Sequence, residues 1–205
     1  MNAGHAAAAG VAGLVTAGGR SVRFGSEKAV ALLQGRALLL WATARLQGSC
    51  ARVAVNARPG SAAAALAQEH AFTVIHDAPG DASGPLAGVK AGLQWAAACG
   101  AHTLAVSPCD APLLPPDLFP RLLAGAQGGA AMAETPVGLE PLCAVWPVSA
   151  LAKVTAALEH GAHPPTWRLL ESLGARHVRF EDATAFVNLN TRADLAAVAG
   201  RLAAS

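Results

Sequence analysis

Short apolar runs alternate with alanine- and leucine-rich helical stretches through the first half of the chain, and this alternation constrains the fold more than any other feature. Residues 11–15, 52–55, 72–75 and 103–106 are short, apolar and mostly β-branched, the pattern of strands buried on both faces. Between them, residues 38–46, 61–68 and 86–98 read as helices. A β-α-β-α order predicts a parallel sheet with helices on both faces and right-handed crossovers. The second half is less regular. It predicts helices over 115–124, 151–158, 167–173 and 194–202, strands over 130–133 and 143–146, extended chain over 178–180 and 186–189, and a loop over 125–130. No repeat or linker divides the 205 residues, so they are read as one domain, 1–205.

Composition removes several classes of function. Hydrophobic residues make up 53% and charged residues 14%, so there is ample core material and no case for disorder. Tyrosine is absent and aromatics total 4%, too few for a platform that stacks single-stranded nucleic acid. A net charge of +2 without a basic run argues against a duplex-binding surface. The four cysteines form no CxxC pair and are expected to be reduced thiols packed as small hydrophobes. The apolar N-terminus lacks the positive region of a signal peptide, and polar residues and Pro108 break the uncharged stretch between Lys90 and Asp110. A cytoplasmic protein without a membrane partner is expected. The seven histidines show no HExxH pattern, and there is no G-x-S-x-G elbow.

In open α/β sheets ligands bind beyond the carboxyl ends of the strands. The residues just past each predicted strand are therefore informative. The first strand leads into TAGGRSVRFGSEK. Gly18 and Gly19 lack Cβ atoms and let backbone N–H groups approach an anion, while Arg20, Arg23 and Lys28 supply charge. This is neither a Walker A loop nor a GxGxxG fingerprint, and a charged surface turn is its bland alternative. Asn56 comes after the second strand; His76 and Asp77 come after the third, with Asp81 beyond. Asp110 lies past the fourth, in PCDAP. A carboxylate at the mouth of a phosphate loop is costly unless paired or holding a cation, and magnesium takes one carboxylate plus substrate phosphates; a turn aspartate is the alternative.

Two further segments stand out. In GPLAG, Pro85 suits a helix start, and Gly84 and Gly88 would leave room for a flat ligand against the backbone. In FVNLNTRADL, Asn188 and Asn190 have the spacing at which strand side chains share a face, and Thr191 with Asp194 resembles a capping box. A buried asparagine amide needs partners.

Together VTAGGRSVRFGSEKA, VNA, DAPGDASGPLAG, PCDAPLLPPDL and FVNLNTRADL resemble, in order and over nearly the whole chain, the molybdenum cofactor guanylyltransferases of the nucleotide-diphospho-sugar-transferase-like superfamily. The resemblance implies an α/β fold, a Rossmann-like three-layer sandwich whose central sheet is mainly parallel and partly mixed. It implies transfer of GMP from GTP to molybdenum-carrying molybdopterin, with Mg2+ as cofactor, the nucleotide on the N-terminal half and the pterin on the C-terminal half. By position, Thr16, Ala17, Gly18, Gly19, Lys28, Asn56, Asp77, Gly84, Gly88 and Asp110 would bind GTP. Lys28, Asp110 and Arg23 would carry catalysis, and Asp110 would hold the metal. Asn188, Asn190 and Arg168 would lie on the molybdopterin side, with Arg168 in GAHPPTWR standing in for the family's basic pair. Proteins of molybdenum insertion and recipient molybdoenzymes are the implied partners. Departures from the family pattern are Thr16 for leucine, Glu27 for aspartate and Phe24 for methionine. A CTP- or sugar-phosphate-dependent enzyme of the same fold is the nearest rival, and a non-catalytic nucleotide- or cofactor-binding module the rival from another class.

Overall fold

The computed structural model describes residues 8–19, 24, 27–80, 84–159 and 163–203. Its strands are β1 (Ala8–Thr16), β2 (Leu32–Leu33), β3 (Arg36–Ala37), β4 (Cys50–Asn56), β5 (Thr73–Ile75), β6 (Thr103–Pro108), β7 (Ala131–Thr135), β8 (Gly138–Pro147) and β9 (Arg176–Arg179). Seven of them form one sheet in the order β5-β4-β1-β6-β8-β7-β9, and β2 and β3 pair as a small hairpin. Pairings β1–β4, β1–β6, β4–β5 and β7–β9 are parallel; β8 runs antiparallel to both its neighbours. The sheet is thus mainly parallel with one reversed strand.

Alternation along β1 shows why the sheet must be covered twice. Val11 and Val15 enter one core, and Ala12 and Leu14 the other. Helices α1 (Leu38–Gln47), α2 (Ala62–Glu69) and α4 (Leu118–Ala126) close the first. Helices α3 (Pro85–Ala98), α5 (Leu151–Ala157) and α6 (Thr166–Ser172) close the second. A satellite cluster joins Leu33 and Leu38 to Leu189 and to Val198 of α7 (Arg192–Ala203).

Helix starts obey local chemistry. The Ser61 hydroxyl accepts from Ala64 N–H at 3.1 Å and caps α2. Pro85 opens α3. At α7 the capping box forms: Asp194 N–H donates to Thr191 Oγ1 at 3.1 Å, and Asp194 Oδ2 accepts from Thr191 N–H at 2.8 Å. Along α3, Gly88 and Gly92 stand four residues apart on one face. A methyl group on Gly92 would sit 2.5 Å from Leu14 Cδ2, so this helix lies closer to the sheet than a larger residue permits.

Two expectations change and one element is new. Residues 186–189 are not a strand: a 3-10 turn spans Ala183–Phe186, and the chain then runs without a partner strand to α7. Leu189 N–H donates to Asp110 C=O at 2.8 Å, so this segment crosses over the strand ends. Helix α4 begins at Leu118 rather than residue 115, because Pro115 and Pro116 precede it. The β2–β3 hairpin has no counterpart in the sequence pattern; its tip, Gln34 and Gly35, takes positive φ at both positions, as tight hairpins require.

Candidate active site

The parallel strands β5, β4, β1 and β6 all end on the same edge, and there the chain opens into a cleft of about 560 Å3. Residues from every strand-end loop line it: Thr16–Gly19, Asn56, Asp77 and Pro108–Asp110. Backbone bonds fix the floor. Ala17 N–H donates to Asn56 C=O at 2.8 Å, and Cys109 N–H to Thr16 C=O at 3.2 Å. A methyl group on Gly19 would meet nothing within 4 Å, so the side on which a side chain would stand is open.

At one end of the cleft, Lys28 Nζ lies 2.6 Å from Asp110 Oδ2 and donates to Asn190 Oδ1 at 3.1 Å. Three segments far apart in sequence therefore meet at one ammonium. The pair is mostly shielded, with side-chain exposures of 15% and 20%, so its attraction is screened less than that of a surface pair. Asn190 is itself held: its N–H donates to Asp194 Oδ2 at 2.8 Å. Hydrogen bonds from the Asn190 and Thr191 N–H groups keep the Asp194 carboxyl below its ordinary pKa.

At the other end Asn56 Nδ2 donates to Asp77 Oδ1 at 2.9 Å. Asn56 is 4% exposed, and its Oδ1 would lie 2.6 Å from a methyl group on Gly88. His163 fills the corresponding space beside Gly84, its Nε2 only 2.0 Å from where a methyl would stand. The room for a flat ligand expected beside these glycines is thus taken by protein side chains. Gly84 still lines the cleft and Gly88 does not. The His163 Nε2 is buried without a hydrogen-bond partner among the described residues.

Arg58 and Glu27 also line the cleft, 2.8 Å apart. Glu27 Oε2 accepts from Ala63 N–H at 2.9 Å, tying the glycine loop to the first turn of α2. In the sequence Glu27 stands out only as a departure from the family pattern. Arg58 carries one signal there, its place two residues beyond Asn56. Leu142, from the reversed strand, carries none. Cys109 lines the floor, but burial, reinforced by Asp110 and opposed by Lys28, pushes its thiol up to about 12. Burial likewise pushes Cys50 up to about 12 and raises Cys143 well above the ordinary value. These cysteines pack as protonated thiols.

Other expected site residues fall elsewhere. Asn188 is exposed and does not line the cleft, because without a strand at 186–189 the two asparagines share no face; Asn190 alone reaches Lys28. Arg168 is exposed on α6, its guanidinium 5.2 Å from the Trp167 ring, and is not a cleft residue. Arg20, Arg23 and Asp81 lie outside the described residues. Among the described residues no group of three or more His, Cys, Asp or Glu side chains makes a metal cage. A single carboxylate is nonetheless what Mg2+ takes when substrate phosphates complete its shell, and Asp110 on the cleft floor fits that requirement. No helix among the described residues is long and apolar enough to cross a membrane.

A family model described as "MobA-like NTP transferase domain" matches residues 13–178. The chain belongs to this family. A relative from Cereibacter sphaeroides, named molybdenum cofactor guanylyltransferase, is 37% identical over 191 residues, 90% of this chain and 93% of that protein. One of the same name from Acidiphilium cryptum is 38% identical, covering 92% and 94%. Among solved structures, molybdopterin-guanine dinucleotide biosynthesis protein A from Archaeoglobus fulgidus superposes with a TM-score of 0.76 at 22% identity, covering 95% of this chain and 100% of that one. A 4-diphosphocytidyl-2C-methyl-D-erythritol synthase superposes at 0.70 with 14% identity, covering 94% and 97%, which shows the shared fold alone. The MobA-like chain thus shares its overall fold with nucleotidyltransferases whose sequences have diverged widely.

Proposed function

We propose that this MobA-like protein is a molybdenum cofactor guanylyltransferase, moving GMP from GTP to the terminal phosphate of molybdenum-carrying molybdopterin. Its relatives at 37% and 38% identity bear that name over nine-tenths of the chain. The observation that carries the reading is the meeting of Lys28, Asp110 and Asn190 beside the Gly18–Gly19 backbone, at the edge where parallel strands end.

The chemistry suits this arrangement. An oxygen of the acceptor phosphate forms a bond to the α-phosphorus of GTP, the bond from that phosphorus to the bridging oxygen breaks, and pyrophosphate leaves. The acceptor phosphate is already deprotonated at neutral pH, so no general base is needed. The barrier is repulsion between anions and misalignment. Lys28 and the backbone N–H groups of the glycine loop offset the charge. Asp110 would hold Mg2+, which when bound supplies charge neutralisation on the phosphates. Asn190 orients the Lys28 ammonium, and the Asn56–Asp77 pair offers acceptors to the nucleoside. Arg23 adds a second cation from the loop, and Arg168 and Asn188 remain the residues assigned to the acceptor's side. The acceptor substrate and the proteins that supply molybdenum or receive the product are the partners of this reading, and a cytoplasmic site of synthesis accompanies it.

The deciding experiment is incubation with GTP, Mg2+ and molybdenum-loaded molybdopterin, followed by mass detection of the guanine dinucleotide. Product with CTP instead of GTP would replace this reading by a cytidylyl one. GTP binding without pyrophosphate release would replace it by a carrier module.

A further inference from the structure

Lys28 opens a 3-10 turn, Lys28–Val30, in which Val30 N–H donates to Glu27 C=O at 3.3 Å and Ala31 N–H to Lys28 C=O at 3.0 Å. Its Nζ lies 2.6 Å from Asp110 Oδ2 and 3.1 Å from Asn190 Oδ1. An ammonium on a flexible four-carbon stem keeps one place only where the backbone beneath it is fixed. Ala29, on one side of Lys28, is buried in the same core as Ala63 and Ala64 of α2. Glu27, on the other side, supplies the polar half of the seat.

Both Glu27 carboxylate oxygens are taken by the segment that follows β4. Oε2 accepts from Ala63 N–H at 2.9 Å, and Oε1 accepts from an Arg58 guanidinium N–H group at 2.8 Å. Helix N-termini leave their first N–H groups without intrahelical partners. In α2 the Ser61 hydroxyl takes the Ala64 N–H, and Glu27 takes the Ala63 N–H from 36 residues away in sequence. Residues 62–65 are all alanine, so the first turn of α2 has no carboxylate of its own to set against the positive end of its dipole. Arg58 is braced in turn, its C=O accepting from Ser61 N–H at 3.2 Å. The two bonds are unequal. The Arg58 side chain is 49% exposed, so solvent screens the ion pair, and the bond to Ala63 is the firmer hold.

Resting on the guanylyl reading, we propose that Glu27 is a positioning residue for the reaction: by clasping the first turn of α2 it fixes the backbone from which Lys28 reaches the phosphates. It acts through Lys28 and does not touch the reacting atoms. Its place one residue before the ammonium suits this role, because misplacing a positioned group by about 1 Å can cost about a hundredfold in rate.

The test is steady-state pyrophosphate release by the full chain with GTP, Mg2+ and molybdenum-loaded molybdopterin, with thermal melts beside it. Glu27→Ala should lower kcat about tenfold, the scale of a lost charge-assisted hydrogen bond, with the KM for GTP within about threefold of wild type. Glu27→Gln keeps an oxygen acceptor for Ala63 N–H and gives up the charge, so it should recover kcat to within about threefold of wild type. Ser61→Ala removes the other bond at the start of α2. It should lower the Tm about as far as Glu27→Ala does and leave kcat unchanged. In a Lys28→Ala background, Glu27→Ala should change kcat by less than about twofold, since the group it positions is gone. Glu27→Asp, with the charge on a stem one methylene shorter, should fall between wild type and Glu27→Ala, and it stands in if the alanine variant does not fold. A kcat loss in Ser61→Ala equal to that in Glu27→Ala would trace the effect to the stability of α2 and overturn the proposal. So would an undiminished Glu27→Ala effect without Lys28, or a raised KM at wild-type kcat, which marks a substrate contact. A wild type that releases no pyrophosphate from GTP overturns the guanylyl reading, and the proposal with it; a working wild type with a fully active Glu27→Ala overturns the proposal alone.

Discussion

The two ends of the cleft are built on different principles. At the Lys28 end one ammonium gathers a carboxylate and an amide from segments 82 and 162 residues away in sequence. At the Asn56 end the contact is a single pair, the Asn56 amide donating to the Asp77 carboxylate from the neighbouring strand end. The first end is suited to managing charge that develops in a reaction. The second would meet the nucleoside of the proposed reading. The division teaches that charge management can rest on long-range convergence, while the other end rests on neighbouring strands.

The largest expected effects test the first end. Asp110→Asn should lower kcat by about a thousandfold with GTP still bound, the scale of removing one preorganised electrostatic group. Lys28→Ala should lower kcat by about a hundredfold and also raise the KM for GTP about tenfold. Steady-state pyrophosphate release at saturating Mg2+ checks both, and a near-wild-type kcat in either variant would break the comparison.

Next in size is a test of the second end. Asn56→Ala removes the partner of Asp77 and should raise the KM for GTP about tenfold with little change in kcat, within what one hydrogen bond contributes. Gly88→Ala drives a methyl group to 2.6 Å from Asn56 Oδ1. It should cost about 1–3 kcal/mol of stability through overpacking. In an Asn56→Ala background that cost should largely vanish, so denaturant melts of the four proteins measure the coupling directly. Additive costs would show that Gly88 serves something other than Asn56.

The smallest effect concerns Asp194. Its carboxyl is held below the ordinary 3.8 by the Asn190 and Thr191 N–H groups. A group with a depressed folded pKa contributes stability above its ordinary value and loses it as pH falls through the lowered one. Asp194→Asn should therefore be slightly less stable than wild type at neutral pH, with the difference disappearing in acid. Thermal melts from about pH 7 to about pH 2.5 read this. A gap that widens in acid would contradict the assignment.

Much of this geometry is legible in the sequence. The strands carrying Val11–Val15 and Thr103–Val106 announce themselves because burial on both faces leaves a nearly continuous apolar run. Asp110, Asn56 and Lys28 stand out because a parallel sheet sends its strand-end loops to one edge. The hidden parts are local. Spacing by two at Asn188 and Asn190 suggests a shared face, but a segment that bonds the Asp110 carbonyl instead of a strand has no pleat to impose one. The glycines of GPLAG are conspicuous, yet nothing in the sequence says that His163 occupies the space left at Gly84 and Asn56 that at Gly88. Arg58 escapes notice since its partner Glu27 lies 31 residues earlier, and pairing of that kind emerges only once the chain is folded.

The crossing of residues 187–190 over the strand ends has an architectural consequence. The shared domain recognised across MobA-like proteins stops at residue 178 here, yet the amide that steadies Lys28 is delivered by chain beyond it. A version trimmed to the common module would retain nearly every rung of the ladder while missing one jamb of the doorway, the amide that holds the Lys28 ammonium.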